Sequence, residues 1–254
     1  MKVFLTGASS GLGEALARHY AARGATLGLV ARREGELARL ATALAPAATA
    51  TYAVDVRDAP AMARAGADFV ARFGVPDIVI GNAGVSRGTL TELDDDLAAF
   101  RQVLETNVLG LVHTFHPFIA PMAAAGTGTL VGIASVAGFR GLPGSGAYCG
   151  SKSAAITYLE SLRVEQRSRG IAVVTVCPGF IATPLTARNP YRMPFLMTAD
   201  DAARRIARVI ALRRRFAVVP WPMALAAALL KVLPRALFDR LVEGRKRKPR
   251  DTPT

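Results

Sequence analysis

Short apolar runs recur along the chain with helix-length segments between them. They are Lys2 to Thr6, Thr26 to Ala31, Thr49 to Val54, Asp77 to Ile80, Gly128 to Ala134, Ile171 to Val176 and Phe216 to Val219. Strands that are apolar throughout need cover on both faces, and spacing of this kind implies parallel pairing. The pattern predicts an α/β chain with a doubly wound parallel sheet of about seven strands and helices on both faces. With 254 residues, 51% of them hydrophobic, the chain can bury a large core as one domain. No internal repeat or interdomain linker divides it. Residues 1–220 read as the sheet-bearing body, and residues 221–254 as an apolar helical segment and basic tail of the same domain.

The first strand runs into Thr6-Gly7-Ala8-Ser9-Ser10-Gly11-Leu12-Gly13, and Glu14 to Arg23 reads as a helix. Glycines at 7, 11 and 13 let the backbone turn sharply and approach a pyrophosphate. Its charge would rest at the helix N-terminus, where free N–H groups and the dipole favour an anion. A glycine-rich turn without a ligand is the plainer alternative, although the strand-to-helix placement is what phosphate binding requires.

Tyr148 and Lys152 stand four apart, which puts them on one helix face. An ammonium group beside a phenol favours the phenolate, so Lys152 is expected to bring Tyr148 down from about 10 toward neutrality. Taken alone, the spacing is more often a solvated helix face.

Together, Thr6-Gly7-x-x-x-Gly11-x-Gly13, Asn82-Ala83-Gly84, Asn107, Ser135, Tyr148-x-x-x-Lys152 and Pro178-Gly179 are a highly specific set. In order and approximate spacing they resemble the compact branch of the short-chain dehydrogenase/reductase family over roughly Lys2 to Pro220. The resemblance implies a single-domain Rossmann-type fold with a nicotinamide-binding catalytic body over residues 1–220. It implies hydride transfer between that cofactor and a carbonyl or secondary alcohol, in a homodimer or homotetramer. Ser135 would hydrogen-bond the oxygen on which charge develops, Tyr148 would exchange its proton, Lys152 would tune Tyr148 and hold the nicotinamide ribose, and Asn107 would anchor a water-linked proton path to Lys152. Cofactor contacts carried over are Gly7, Ser9, Ser10, Gly11, Leu12 and Gly13 in the turn, with Asp55 and Val56 at the adenine and Asn82, Ala83 and Gly84 along its ribose. Tyr148, Lys152, Pro178, Gly179, Ile181 and Thr183 would serve the nicotinamide end. The family often has Asn-Asn-Ala-Gly where this chain has Gly81-Asn82-Ala83-Gly84, which removes one side chain and leaves the turn.

The second strand ends in Ala31-Arg32-Arg33, where an NAD site would normally carry a carboxylate for the ribose hydroxyl. Guanidinium groups bind phosphate through paired donors, so Arg32 and Arg33 beside Ser9 point to the 2′-phosphate of NADP(H). The alternative is that they open a solvated helix, with Glu34 and Glu36 as partners. A noncatalytic NADP-sensing or scaffold protein on this fold is the rival functional class, and it has no need of a proton relay.

Phe139, Leu142, Phe180, Tyr191, Met193, Phe195, Leu196 and Met197 fall where the resemblance places a substrate pocket or a loop closing over the cofactor. They suit a hydrophobic ketone, aldehyde or secondary alcohol. Arg140 or Arg192 is a candidate for a substrate carboxylate. His19, His113 and His116 have no metal spacing with one another or with Cys149 and Cys177, so no metal site is expected. His113 and His116 are expected at a surface or interface.

The run from Trp221 to Leu230, the segment Lys231 to Val242 and the tail Gly244 to Arg250 are too interrupted to cross a bilayer. They read either as a helix over the substrate loop or a second subunit, or as a peripheral contact with an anionic membrane. The formal charge of +13 predicts nonspecific attraction to polyanions, but no aromatic platform or motif supports specific nucleic-acid binding. With Met1 leading straight into the first strand and only two cysteines, the expected compartment is the cytoplasm, with surface association at a membrane as an alternative.

Overall fold

The computed structural model describes residues 1–187, 189–244 and 247–250. Arg245 and Lys246 of the expected basic tail therefore lie outside the described residues. The first half of the chain is β1 (Lys2–Thr6), α1 (Gly11–Ala21), β2 (Thr26–Ala31), α2 (Glu34–Ala43), β3 (Thr49–Ala53), α3 (Ala59–Phe73), β4 (Ile78–Gly81), α4 (Asp94–Leu104) and α5 (Gly110–Ala125). The second half is β5 (Gly128–Ile133), α6 (Gly146–Glu165), β6 (Ile171–Pro178), β7 (Ile181–Ala182), β8 (Met197–Thr198), α7 (Ala199–Ala211), β9 (Phe216–Val219), α8 (Pro222–Val232) and α9 (Arg235–Val242).

Seven strands form one sheet in the order β3-β2-β1-β4-β5-β6-β9, and every neighbouring pair is parallel. All seven coincide closely with the apolar runs of the sequence. The reason is visible along β1, where Val3 and Leu5 enter one core and Phe4 enters the other. Neither face can be polar, so the run is continuous rather than alternating. The Val3 side is covered by Leu12, Leu16 and Tyr20 of α1 and by Ile206 and Ile210 of α7. The Phe4 side is covered by Met62 and Phe69 of α3, Phe115 and Phe118 of α5 and Leu159 of α6. Phe4 packs on Phe118 and Phe69 with ring centroids 4.7 and 5.5 Å apart. Each such fully buried side chain contributes about 1.5–3 kcal/mol through removal from water.

From Asp94 to Ala125 the chain is one helix, the only one among the described residues long and apolar enough to span a bilayer. Its apolar residues Leu111, Phe115, Phe118 and Met122 belong to the core just described. Between α4 and α5 the turn Glu105–Leu109 widens to π geometry, a local form often found at functional sites.

Connections leave β1 toward β2 and β4 toward β5, so strand order reverses between β1 and β4. The carboxyl ends of these two strands open a crevice, the usual ligand site of a doubly wound sheet. The glycine-rich turn and Asn82 both fall at this crevice.

Candidate active site

Helix α1 starts at Gly11, three residues before the Glu14 expected from sequence. Its first ladder bond runs from Glu14 N to Ser10 O at 3.4 Å. The N–H groups of Gly11, Leu12 and Gly13 therefore stand outside the ladder, at the positive end of the helix. Gly7 takes φ +69°, and a Cβ on Gly13 would meet the Gly7 carbonyl oxygen at 2.0 Å. The turn is pinned from the next strand, since Asn82 Nδ2 donates to the carbonyls of Thr6 and Gly7 at 3.0 and 3.3 Å. Asn82 N also donates to Thr6 Oγ1 at 3.2 Å.

Gly7, Ser9, Ser10, Gly11, Leu12, Gly13, Arg32, Arg33, Asp55, Val56, Asn82, Ala83 and Gly84 all border one elongated cleft of about 470 Å³. Ser135, Tyr148, Lys152, Pro178, Gly179, Ile181 and Thr183 border its other end. Arg33 donates from Nη2 to Ser9 Oγ at 3.0 Å and to the Ser9 carbonyl at 3.2 Å, which fixes a guanidinium beside the turn. Arg32 Nη1 lies 4.0 Å from Asp55 Oδ2. Asp55 is held below the usual carboxylate range chiefly by the Arg57 guanidinium, which contacts it at 2.8 Å. Thr183 and Ile181 are tied to each other and to Thr186, whose hydroxyl donates to the Ile181 carbonyl.

Asn107 is the one expected site residue that does not border the cleft. It sits in the π turn, buried, where Nδ2 donates to the Val85 carbonyl and to Ser151 Oγ, both at 2.9 Å. Its Oδ1 accepts from Val85 N at 2.8 Å. The side chain thus clamps the segment after β4 onto α6, one position from Lys152.

Ser135 ends the segment after β5, and its Oγ accepts from Ala137 N at 3.1 Å. Tyr148 and Lys152 lie on α6, and Lys152 Nζ donates to the Ile133 carbonyl at 2.8 Å. The ammonium stands 5.9 Å from the centre of the Tyr148 ring. The expected drop in the Tyr148 pKa is not what this geometry produces. Burial pushes the phenol up to about 12, with the Ser135 hydroxyl opposing the shift. Burial also lowers Lys152 to about 8. Both groups share one poorly solvated wall, where the cost of charge outweighs their mutual effect.

Ser135 and Tyr148 also border a second, largely apolar cavity of about 660 Å³. Phe139, Leu142, Phe180, Tyr191 and Phe195 line it as the sequence suggested. Met193, Leu196 and Met197 do not, and Met197 is instead drawn into the short ladder with Ile181. Met223, Ala227 and Leu230 of α8 complete the wall. Their spacing of four and three is legible in the apolar run, but the body they pack against is not. On its outer face α8 leaves Leu225, Leu229 and Val232 exposed, as is Trp221 just before it. Arg140 is not poised for a carboxylate: it donates to the Leu233 carbonyl at 3.1 Å and lies 4.2 Å over the Phe238 ring, which fixes the α8–α9 turn. His113 is half-buried, and its Nδ1 meets the Val56 carbonyl at 2.8 Å, supporting the cleft wall.

A parallel doubly wound sheet with a glycine-rich turn at its crevice and a Ser-Tyr-Lys wall defines a nucleotide-binding oxidoreductase scaffold. The short chain dehydrogenase family matches residues 1–192. An uncharacterized oxidoreductase of Myxococcus xanthus is 38% identical, covering 92% of this chain and 93% of that one. A dehydrogenase/reductase SDR family member 7B of Bos taurus is 32% identical, covering 98% of this chain and 82% of the relative. Among solved structures, a short chain dehydrogenase/reductase from Burkholderia phymatum in complex with NAD superposes with a TM-score of 0.81 at 25% identity. That match covers 100% of this chain and 97% of the other. An alcohol dehydrogenase from Thermococcus sibiricus, complexed with 5-hydroxy-NADP, gives 0.77 at 25% identity over 86% of this chain and 95% of its own. The chain belongs to the short-chain dehydrogenase/reductase family of oxidoreductases.

Proposed function

We propose that this protein is an NADP(H)-dependent carbonyl reductase or alcohol dehydrogenase acting on a hydrophobic ketone, aldehyde or secondary alcohol. One observation carries the reading: Ser135 and Tyr148 border both the glycine-lined cleft and the apolar cavity, so a reacting carbon held between the two would meet their hydroxyls. The residues present fit the cofactor, with N–H groups of α1 for the pyrophosphate, a turn that Gly13 keeps tight against Gly7, and Arg32 with Arg33 for a 2′-phosphate. When bound, the reduced cofactor supplies a hydride.

Ser135 donates a hydrogen bond to the substrate oxygen as it gains charge, and Tyr148 delivers the proton. A phenol near 12 is fully protonated at neutral pH, the state that carbonyl reduction needs. Lys152 holds the nicotinamide ribose from beside the Ile133 carbonyl, and Asn107 keeps α6 and the segment after β4 in register. The test is consumption of NADPH and, in parallel, NADH against a panel of hydrophobic ketones and aldehydes. Turnover with NADPH that is lost in Tyr148→Phe supports the reading; turnover unaffected by that change removes Tyr148 from the chemistry.

A further inference from the structure

Helix α8 is apolar on every side as far as Lys231. Its inner residues Met223, Ala227 and Leu230 wall the apolar cavity. Trp221, which precedes the helix with helical backbone angles, is followed by Leu225, Leu229 and Val232 at intervals of four, four and three, which puts all of them on the opposite face. They are 69, 67, 64 and 77% exposed. The apolar surface continues onto the segment before β8, where Phe195 and Leu196 are about half exposed and border one recess together with Trp221. Phe195 takes φ +56° there, a backbone conformation uncommon for a bulky residue. A contiguous exposed apolar surface marks a binding face, and a helix that is apolar all round is ordinarily covered all round.

The charge around this face selects its partner. The sequence has no Asp or Glu between Asp201 and Asp239, while Arg213, Arg214 and Arg215 lead into β9, on which α8 packs, and Lys231 and Arg235 flank the turn from α8 to α9. All of these cations are exposed. A second copy of the chain, itself at a formal +13, would set them against their like. An anionic bilayer offers opposite charge at its surface and an apolar interior below it. With 11 residues, α8 is about 16 Å long against the ~30 Å of a hydrocarbon core, so it can lie in a membrane surface but not cross it. We propose that the outer face of α8, together with Trp221, Phe195 and Leu196, is a peripheral docking surface for an anionic lipid bilayer. This role goes beyond the reductase reading and does not depend on it.

Trp221 is the only tryptophan in the chain, so its fluorescence reports this face directly. The full chain is titrated, at low and at raised salt, with vesicles of phosphatidylcholine alone and of phosphatidylcholine mixed with phosphatidylglycerol. With the mixed vesicles the emission is expected to shift to the blue and to be quenched by lipids brominated on their acyl chains. Partitioning is expected to be at least about tenfold stronger than onto phosphatidylcholine alone and to weaken as salt rises. Leu225→Ser combined with Leu229→Ser alters two exposed positions and keeps Trp221; it is expected to lower partitioning at least about tenfold. Quenching in the wild type needs no variant, so it decides the matter even where the double variant does not fold. Absence of both blue shift and quenching at low salt overturns the proposal. So does undiminished partitioning of the folded double variant, because bulk charge then does the binding. Emission that is already blue-shifted without lipid and follows protein concentration, with a dimer mass in sedimentation, overturns it as well, because a second copy then covers the face.

Discussion

Lys152 Nζ reaches 2.8 Å across to the main-chain carbonyl of Ile133, joining the first half of α6 to the final residue of β5. Ser135 lies two residues beyond Ile133, and Tyr148 one helical turn before Lys152. This hydrogen bond helps to tie the segment that carries the serine to the helix that carries the tyrosine. Lys152→Ala removes both the charge and the tie. A charge-assisted hydrogen bond to the cofactor is worth about 1.5–3 kcal/mol, so both kcat and NADPH affinity are expected to fall at least tenfold. Kinetics combined with NADPH titration check this. A fall in kcat alone would show that the ammonium does not serve the cofactor.

Tyr148→Phe removes one oxygen from a side chain whose ring remains against both cavities. A positioned general acid contributes about 10²–10⁴-fold. The expected outcome is a loss of kcat in that range, with NADPH affinity changed less than about threefold. Fluorescence titration of NADPH beside the assay separates the two terms.

The shared wall also dictates a pH dependence of stability. Burial holds Lys152 at about 8 in the fold, against about 10.4 in an unfolded chain. Between those values the unfolded state binds the extra proton, so Lys152 makes stability rise with pH through this window. Below pH 8 both states are protonated and the fold bears the full cost, on the order of 3 kcal/mol. Tyr148 has the opposite sign: with its pKa raised to about 12, its contribution is present below pH 10 and fades from pH 10 to 12. Lys152→Met is therefore expected to raise Tm most at pH 7, with the gap to the wild type closing by pH 10. Calorimetric scans across that range test it, and a gap independent of pH would show that the fold does not lower the Lys152 pKa.

Strands and the cleft were the readable part of the sequence, because both follow from local rules. A run such as Lys2 to Thr6 must be apolar on both faces when α1 and α5 cover it from opposite sides, and the turn at Gly7 to Gly13 needs residues without a Cβ. The pKa of Tyr148 was not readable. Four-residue spacing places Lys152 on its face, but the cost of burying both groups depends on the surrounding wall, which β5, β6 and α6 assemble from distant positions. The contacts of residues 247–250 were hidden for a similar reason. A run of basic residues reads as a solvated tail, whereas in the fold Lys248 donates to Ser86 and Arg250 to Asp96.

Cofactor choice turns on Arg33 more than on Arg32. Arg33 is fixed by two bonds to Ser9, while Arg32 reaches only Asp55 at 4.0 Å. A pre-placed guanidinium loses less freedom on meeting a phosphate, so it keeps more of the bond energy. A charge-assisted hydrogen bond is worth about 1.5–3 kcal/mol, or roughly 10- to 100-fold in affinity. Arg33→Ala is expected to raise the KM for NADPH in that range, Arg32→Ala to raise it less, and neither to raise the KM for NADH more than about threefold. Steady-state kinetics with both nucleotides measure the four ratios. Equal losses for NADPH and NADH would mean that these arginines shape the turn and adenine wall without reading the 2′-position, and the assignment to NADP(H) would fall with them.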